Sequence, residues 1–311
     1  FLKHLKRQGD LPLGDDAGAI RLGNGWLVAT NDMLVRKTDV PEIMTPEQVG
    51  FKAVTMNLSD VAAMGARPIG FLFSLGIPGD LGKDYLESVA RGIGEALDFY
   101  SVPVLSADTN EADDLIIDGI ALGRAERLLT RSGAKPGELV CVTGDLGRAL
   151  AGYILWKNSL DVSEGTRRVL YEKFLEPKAR VREGMALSGV AASSIDVSDG
   201  LAKELHILAK MSSVGIEVYP EELPIGKGVG EVAGLMGLDP VEIALASGEE
   251  FELVFTVPPS KVDELPVECR VIGRTLKGPG LYLTRGGMRK ELPPLGWEHF
   301  RGAVGHTPMF R

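Results

Sequence analysis

Aspartate recurs where hydrophobic strands would end. Asp15 and Asp16 sit in LPLGDDAGAI, Asp32 closes WLVATND, Asp108 closes VPVLSAD, and Asp196 and Asp199 flank a Val-Ser step in SSIDVSDGL. Asp60 lies on a well-signalled helix. An unpaired carboxylate is costly to bury, so packing gives these positions little reason to be acidic. Hard oxygen ligation of Mg²⁺, bridging to phosphates, gives them one. Any one of them read alone is as well a turn former or a helix cap, and Ser198 with Asp199 also reads as an N-cap for the helix beginning LAKELHILAK. Asn57 and Asp60, three positions apart, share a helix face beside apolar neighbours, the alternative being a solvated stripe.

Missing motifs narrow the chemistry. No phosphate-binding G-x-x-x-x-G-K-[ST] occurs, since GDLGKD around Lys83 has the wrong spacing. No G-x-G-x-x-G opens a helix after a strand; GNG at 23–25 and GKGVG at 226–230 read as turns or loops. Protein-kinase signatures and the hydrolase G-x-S-x-G are absent. His4, His206, His299 and His306 are too scattered for a zinc motif. Nucleotide chemistry supported by magnesium and carboxylates remains.

The elements that must position these residues are legible as alternating patterns. Strands are expected at GWLVATND, IGFLFSLGIP, VPVLSADT, LIIDGIALGRA, ELVCVTGDLG, SSIDVSDG, GIEVYPEELP, EFELVFTVP, VECRVIGRT and GLYLTRGG. The clearest helix is expected from about Pro46 to Met64, with Thr45 as N-cap, Pro46 at the first position and Gln48 completing a capping box. Further helices are expected in DYLESVARGIGEALDFY, DLGRALAGYILWKN, PKARVREGMALSGV and DGLAKELHILAKMSS. The turn-rich LLTRSGAKPGELV places a domain boundary near residues 128–136, giving domains 1–130 and 131–311 of mixed α/β (α+β) class.

Composition agrees with a globular chain: 311 residues, 44% hydrophobic and 25% charged, which excludes a disordered or fibrous protein. The longest apolar run, PIGFLFSLGIPG, falls short of the roughly 20 residues a membrane helix needs. With net charge −9 and scattered basic residues, nucleic acid is not an expected partner. Cys141 and Cys269 are too few and too far apart in sequence for a disulfide scaffold, and FLKHLKRQGD has no apolar run behind it, so a cytoplasmic chain is expected.

GDDAGAI, TNDMLV, NLSDVAAMGARP, ADTN, LTRSGAKPGE, TGDLG, IDVSDGLAKELHIL and GEEFELVF occur in this order, from Gly14 to LGWEHF near the C-terminus. In motif content and spacing the chain resembles the thiamine-monophosphate kinases of the aminoimidazole-ribonucleotide synthetase-like superfamily. The resemblance implies a two-domain fold of that type: an N-terminal mixed sheet with helices that binds ATP and Mg²⁺ and dimerises, and a C-terminal α+β domain completing an ATP cleft. It implies transfer of the γ-phosphoryl group of ATP to thiamine monophosphate, giving thiamine diphosphate, with several Mg²⁺ ions. Other ATP-using members of the superfamily, or a non-catalytic nucleotide-binding relative, are the alternatives. Selenophosphate synthetase would want an N-terminal Cys or selenocysteine, and no Cys precedes Cys141.

Carried over on the matching motifs, Asp16, Asp32, Asp60, Asp108, Asp196 and Asp199 are magnesium ligands, with Thr30 and Asn31 as auxiliary ones. Tyr100, Ala107, Asp108, Arg131 and Ser198 match ATP-contacting positions, and Asp39, Glu249 and Trp297 belong to the substrate side. By residue type alone, Arg131 is equally a surface arginine and Trp297 a core or terminal anchor. The resemblance assigns no catalytic base. Three departures stand out: SADT puts Ala107 where a glycine is common, GEEFE replaces GEDYE, and Thr38 and Asp39 stand where many members carry a histidine. The resemblance also implies a homodimer, for which RPIGFLFSLGIPG, with Phe71 and Phe73, is the expected interface strand; a central strand is the other reading.

Overall fold

The computed structural model describes residues 8–11 and 13–297; His4, His299, His306 and the last three residues of LGWEHF lie outside them. The chain forms two compact units, Phe1–Thr130 with Lys178–Gly189, and Arg131–Pro177 with Val190–Arg311.

In the first unit, β1 (Gly18–Leu22), β2 (Gly25–Val35), β3 (Arg67–Ile77), β4 (Val104–Glu111) and β5 (Ile116–Ala125) form a sheet in the order β1-β2-β5-β3-β4. Only the β3/β4 pairing is parallel. After β2 the chain makes the short helix α1 (Arg36–Asp39) and then α2 (Pro46–Ala63). The expected capping box starts α2: Gln48 N–H donates to Thr45 Oγ1 at 3.3 Å, and Thr45 N–H to Gln48 Oε1 at 3.0 Å. Helix α3 (Lys83–Tyr100) lies against α2 so closely that glycine is needed on both sides. A Cβ at Gly50 would sit 2.1 Å from Val89 O, and one at Gly92 1.9 Å from Glu47 O. The helices bury Val49, Val54, Leu58, Val89 and Ile93 with the sheet's Leu34, Phe71 and Ile117.

The segment expected at an interface, β3, is an inner strand of the sheet, between β5 and β4. Phe71 is fully buried and stacks with Phe73 at 6.3 Å, while Leu72, Phe73 and Leu75 are half-buried, so β3 is not a sheet edge but keeps a partly open face. The edges are β1 and β4.

The second unit holds a sheet in the order β12-β11-β8-β10-β6-β9-β7. Its strands are β6 (Leu139–Thr143), β7 (Ser193–Asp196), β8 (Gly215–Val218), β9 (Leu253–Val257), β10 (Cys269–Leu276), β11 (Leu281–Arg285) and β12 (Met288–Glu291). Its helices are α4 (Arg148–Lys157), α5 (Glu164–Leu175), α7 (Leu201–Ser212), α8 (Val229–Met236) and α9 (Pro240–Ala246), while α6 (Val181–Leu187) belongs to the first unit. Val140, Ile195, Leu205, Leu208, Ile216 and Val254 form one core; Leu155, Leu170, Val232 and Ile243 form another under α4, α5 and α8.

All ten expected strands are present, joined by β1 and β12, which the pattern did not announce. The two cysteines are closer than their sequence separation suggests. Cys141 pairs opposite Val271 and Cys269 opposite Thr143, so they are diagonal neighbours on one face of the β6/β10 ladder, both free. The contact with Cys269, together with burial, pushes the Cys141 thiol up.

Candidate active site

Three of the expected ligands meet in the first unit. Thr30 on β2 donates its hydroxyl to Asp60 Oδ2 on α2 at 2.5 Å, and its oxygen lies 3.5 Å from the Asp16 carbonyl. Carboxylate oxygens of Asp16 and Asp60 come within 4.8 Å of each other, and Asp16 is 8% exposed. Two ionised carboxylates that close repel by about 3 kcal/mol at an effective dielectric constant of about 20. A small dication with oxygen preference relieves that repulsion, so the donor set fits Mg²⁺.

Asp32 faces the same helices, one pleat repeat beyond Thr30. Its N–H donates to Asn57 Oδ1 at 2.9 Å, while Asn57 Nδ2 donates to Asp32 O at 3.2 Å and to Ala53 O at 3.0 Å. Gly119, opposite Asp32 on β5, makes room for this bracket, since a Cβ there would meet Asn57 Nδ2 at 2.3 Å. The Asn57 and Asp60 pair picked out by helical spacing, the first buried and the second half-buried, is thus a strand-to-helix fastening and not a solvated stripe.

Other expected residues are placed differently. Side chains alternate along a strand, so Asn31 and Asp32 point to opposite faces. Registers β2/β5/β3/β4 put Asp108 in the row of Met33, Asp118 and Ser74, on Asn31's face, and Ala107 in the row of Asp32, Gly119 and Phe73. Tyr100, ending α3, is occupied in packing: its hydroxyl lies 3.3 Å from Thr55 Oγ1 and accepts from Ala179 N–H at 2.8 Å, and burial pushes its pKa up. The Asp39 carboxylate accepts from Val35 N–H at 2.7 Å, closing its own turn, and buried Lys52 donates to the Asp39 carbonyl at 2.9 Å. Asp114 clasps that turn through Arg36 and the Lys37 N–H. Burial opposes its ionisation, but these donors and the Leu115 N–H outweigh it and hold the carboxyl below its usual value.

The second unit carries the remaining expected residues. Asp196 ends β7 and is 2% exposed. Beyond it, Glu249 N–H donates to Ser198 O at 2.7 Å and Trp297 N–H to Asp199 O at 2.8 Å, so Asp196, Ser198, Asp199, Glu249 and Trp297 share one backbone-linked cluster. The cap expected from Ser198 and Asp199 is not formed. Gly200, with φ 132°, occupies the N-cap without a side-chain bond, while Glu204 reaches back to Asp199 N–H at 3.1 Å and Lys203 pairs with the Asp199 carboxylate. Arg131 is fixed elsewhere in this unit. Its carbonyl accepts from Ser212 at the far end of α7, a helix of about 18 Å, whose other end carries Asp199.

Comparison with known proteins gives this arrangement a family. Residues 14–125 match the AIR synthase related protein N-terminal domain, and residues 135–286 its C-terminal domain. A thiamine-monophosphate kinase of Pyrococcus abyssi is 54% identical over 98% of this chain and 94% of its own length. The chain belongs to the thiamine-monophosphate kinase family. The Pyrococcus horikoshii member is 49% identical over 93% of this chain and 91% of its own. Among solved structures, AaThiL complexed with AMPPCP and TMP superposes with a TM-score of 0.88 at 32% identity, covering 96% of this chain and 94% of that one.

Within this thiamine-monophosphate kinase family member, sequence reasoning passed over Lys52, Lys173 and Glu252, and marked Glu250 only as a departure. The signal available was two carboxylates at i and i+2 immediately before β9. Their cation, Lys173, is 79 residues from Glu252 and carries no local mark.

Proposed function

We propose that the chain transfers the γ-phosphoryl group of ATP to the phosphate of thiamine monophosphate, releasing ADP and thiamine diphosphate. The observation that carries this reading is the 54% identity, end to end, with a thiamine-monophosphate kinase; the AaThiL structure holding AMPPCP and TMP supports it. Residues 1–130 supply Asp16, Thr30, Asp32 and Asp60 toward metal, Asn31 and Asp108 toward metal from the other face of the sheet, and the ATP positions Tyr100, Ala107 and Asp108. Residues 131–311 supply Asp196 and Asp199 toward metal, Ser198 and Arg131 toward ATP, and Glu249 and Trp297 toward thiamine monophosphate, a role that Asp39 takes in residues 1–130.

Mg²⁺ bound by such carboxylates supplies charge neutralisation between two phosphate groups that would otherwise repel. The protein's own task is alignment: Asn57 fixes the Asp32 backbone, and Thr30 orients the Asp60 carboxylate. An Arg131 guanidinium can fork onto phosphate oxygens, and the half-exposed Trp297 offers a π face to a cationic thiazolium. The accepting phosphate oxygen is largely ionised near neutral pH, so no residue is given the role of base.

Ile20, Leu22 and Met33 are exposed on the sheet face opposite the helices of the first unit, which supports a homodimer built on that face. No helix among the described residues is long and apolar enough to cross a membrane, and the expected site of action is the cytoplasm. The kinase reading is tested by thermal melts with ATP and Mg²⁺: binding to the folded state raises the melting temperature, and Asp60→Asn suppresses the rise. An unchanged melting temperature at saturating ligand would count against it. Light scattering of the chain and of Leu22→Lys tests the dimer, which a monomeric mass would overturn.

A further inference from the structure

The second unit buries an ionic cluster that the reaction as described does not use. Lys173 on α5 donates to Glu252 Oε1 at 2.6 Å and lies 3.7 Å from Glu250 Oε2; its side chain is 7% exposed, and both glutamates are fully buried. Each remaining carboxylate oxygen reaches a different element. Glu250 Oε1 accepts from Gly147 N–H at 2.7 Å and Ala149 N–H at 3.2 Å where α4 begins, and from Ser247 Oγ at 2.6 Å after α9. Glu252 Oε2 accepts from Thr143 Oγ1 at 2.7 Å where β6 ends. Gly144, at φ 55°, has to be glycine here, because a Cβ would stand 2.5 Å from the Glu252 carboxylate.

The loop held in this way is unusual. Glu249 and Phe251, on either side of Glu250, both have left-handed backbones, with φ of 56° and 47°. Non-glycine residues persist there only where the surroundings over-determine them, and such residues gather at functional sites. The same loop is laced to the end of β7: Glu249 N–H to Ser198 O at 2.7 Å, Phe251 N–H to Val197 O at 2.9 Å, and Val197 N–H to Glu252 O at 2.8 Å. A buried ion cluster is a weak source of stability compared with apolar packing, so its directional bonds are the better account of its presence.

We propose that Lys173, Glu250 and Glu252 are positioning residues that lock loop 247–252 in this conformation, and thereby set the orientation of Glu249 toward thiamine monophosphate and of the Asp196–Asp199 segment. The assignment rests on the kinase reading above. It predicts that Glu250→Ala raises the KM for thiamine monophosphate by about tenfold or more in folded protein, because small misplacements of binding groups are costly. Glu250→Gln, which keeps the Oε1 acceptor for the two amides and Ser247, stays within about threefold of wild type on the same reasoning.

Hydrogen exchange on the full chain supplies a readout independent of activity. The amides of Val197, Glu249 and Phe251 should lose protection in Glu250→Ala, while those of the β8/β10 ladder keep theirs. Unchanged KM and unchanged exchange at those three amides would overturn the proposal, as would a fall in kcat alone that matches the unfolded fraction. If Glu250→Ala does not fold, the Lys173→Met/Glu252→Gln pair, which removes the cation and one charge together, is judged by the same criteria. A wild type that makes no thiamine diphosphate refutes the kinase reading, whereas the exchange pattern still decides whether the cluster holds the loop.

Discussion

Replacing Gly92 by alanine tests whether the α2/α3 contact positions the site. In an ordinary helix the change would stabilise by about 1 kcal/mol, because glycine is a poor helix former. Here the new methyl carbon would lie 1.9 Å from Glu47 O, a backbone atom that cannot rotate away. Reaching ordinary contact requires α2 and α3 to separate by about 1.5 Å, and overpacking of this kind costs typically 1–3 kcal/mol, so the clash outweighs the propensity gain. Gly94, two residues on, is exposed and its Cβ would meet nothing within 4 Å; Gly94→Ala is the control and should stabilise by about 0.5–1 kcal/mol. Because α2 also carries Asn57 and Asp60, Gly92→Ala should lower kcat/KM as well as stability, and Gly94→Ala neither. Urea unfolding followed by circular dichroism, alongside turnover, reads both. A Gly92→Ala protein as stable as Gly94→Ala would refute the close-contact argument.

Asp60→Asn should reduce turnover by at least about a hundredfold, the loss expected when several kcal/mol of charge stabilisation is removed, while the ligand-free fold is kept; near wild-type turnover at millimolar Mg²⁺ contradicts the metal assignment. Burial pushes the Glu250 carboxyl up, against the pull of Lys173, Ser247 and the Ala149 N–H. A raised folded value stabilises below the unfolded value and is lost as pH rises through the folded one, so the stability of wild type relative to Glu250→Gln should fall as pH increases. Urea midpoints across a pH series check this, and a rising difference contradicts it. Native protein should show one thiol reactive to an aromatic disulfide reagent, the half-buried Cys269, and denatured protein two, since Cys141 is fully buried with its thiol pushed up; two reactive thiols in the native state would disprove it.

Local features were legible because local physics decides them. The Thr45-Pro46-Gln48 start of α2 and the apolar alternation of the ten strands are set by neighbours in sequence. Strand order is not: β3 reads as greasy whether it is central or at an interface, and only its pairing with both β5 and β4 makes Phe71 core. The aspartates were found by type and context. Their division between faces, Asp32 toward α2 and Asp108 away, follows from register across four strands, which no segment encodes alone. Ser198 and Asp199 read as a cap because capping residue types precede α7, yet Gly200 occupies that position and Glu204 serves the Asp199 N–H. The polar helix α5 carried its own N-cap, Ser163, whose hydroxyl accepts from Thr166 N–H, but its weak apolar pattern hid it, and Lys173 with it.

The most direct test of the central claim follows the phosphoryl group itself. Purified chain is incubated with thiamine monophosphate, Mg²⁺ and ATP labelled in its γ-phosphate, and the products are resolved by mass spectrometry. The account predicts ADP and thiamine diphosphate in equal amounts, with the label in the terminal phosphate of thiamine diphosphate and passed there at least about a hundredfold more slowly by Asp60→Asn. Label released as inorganic phosphate, or ATP left intact while thiamine monophosphate is bound, would contradict it.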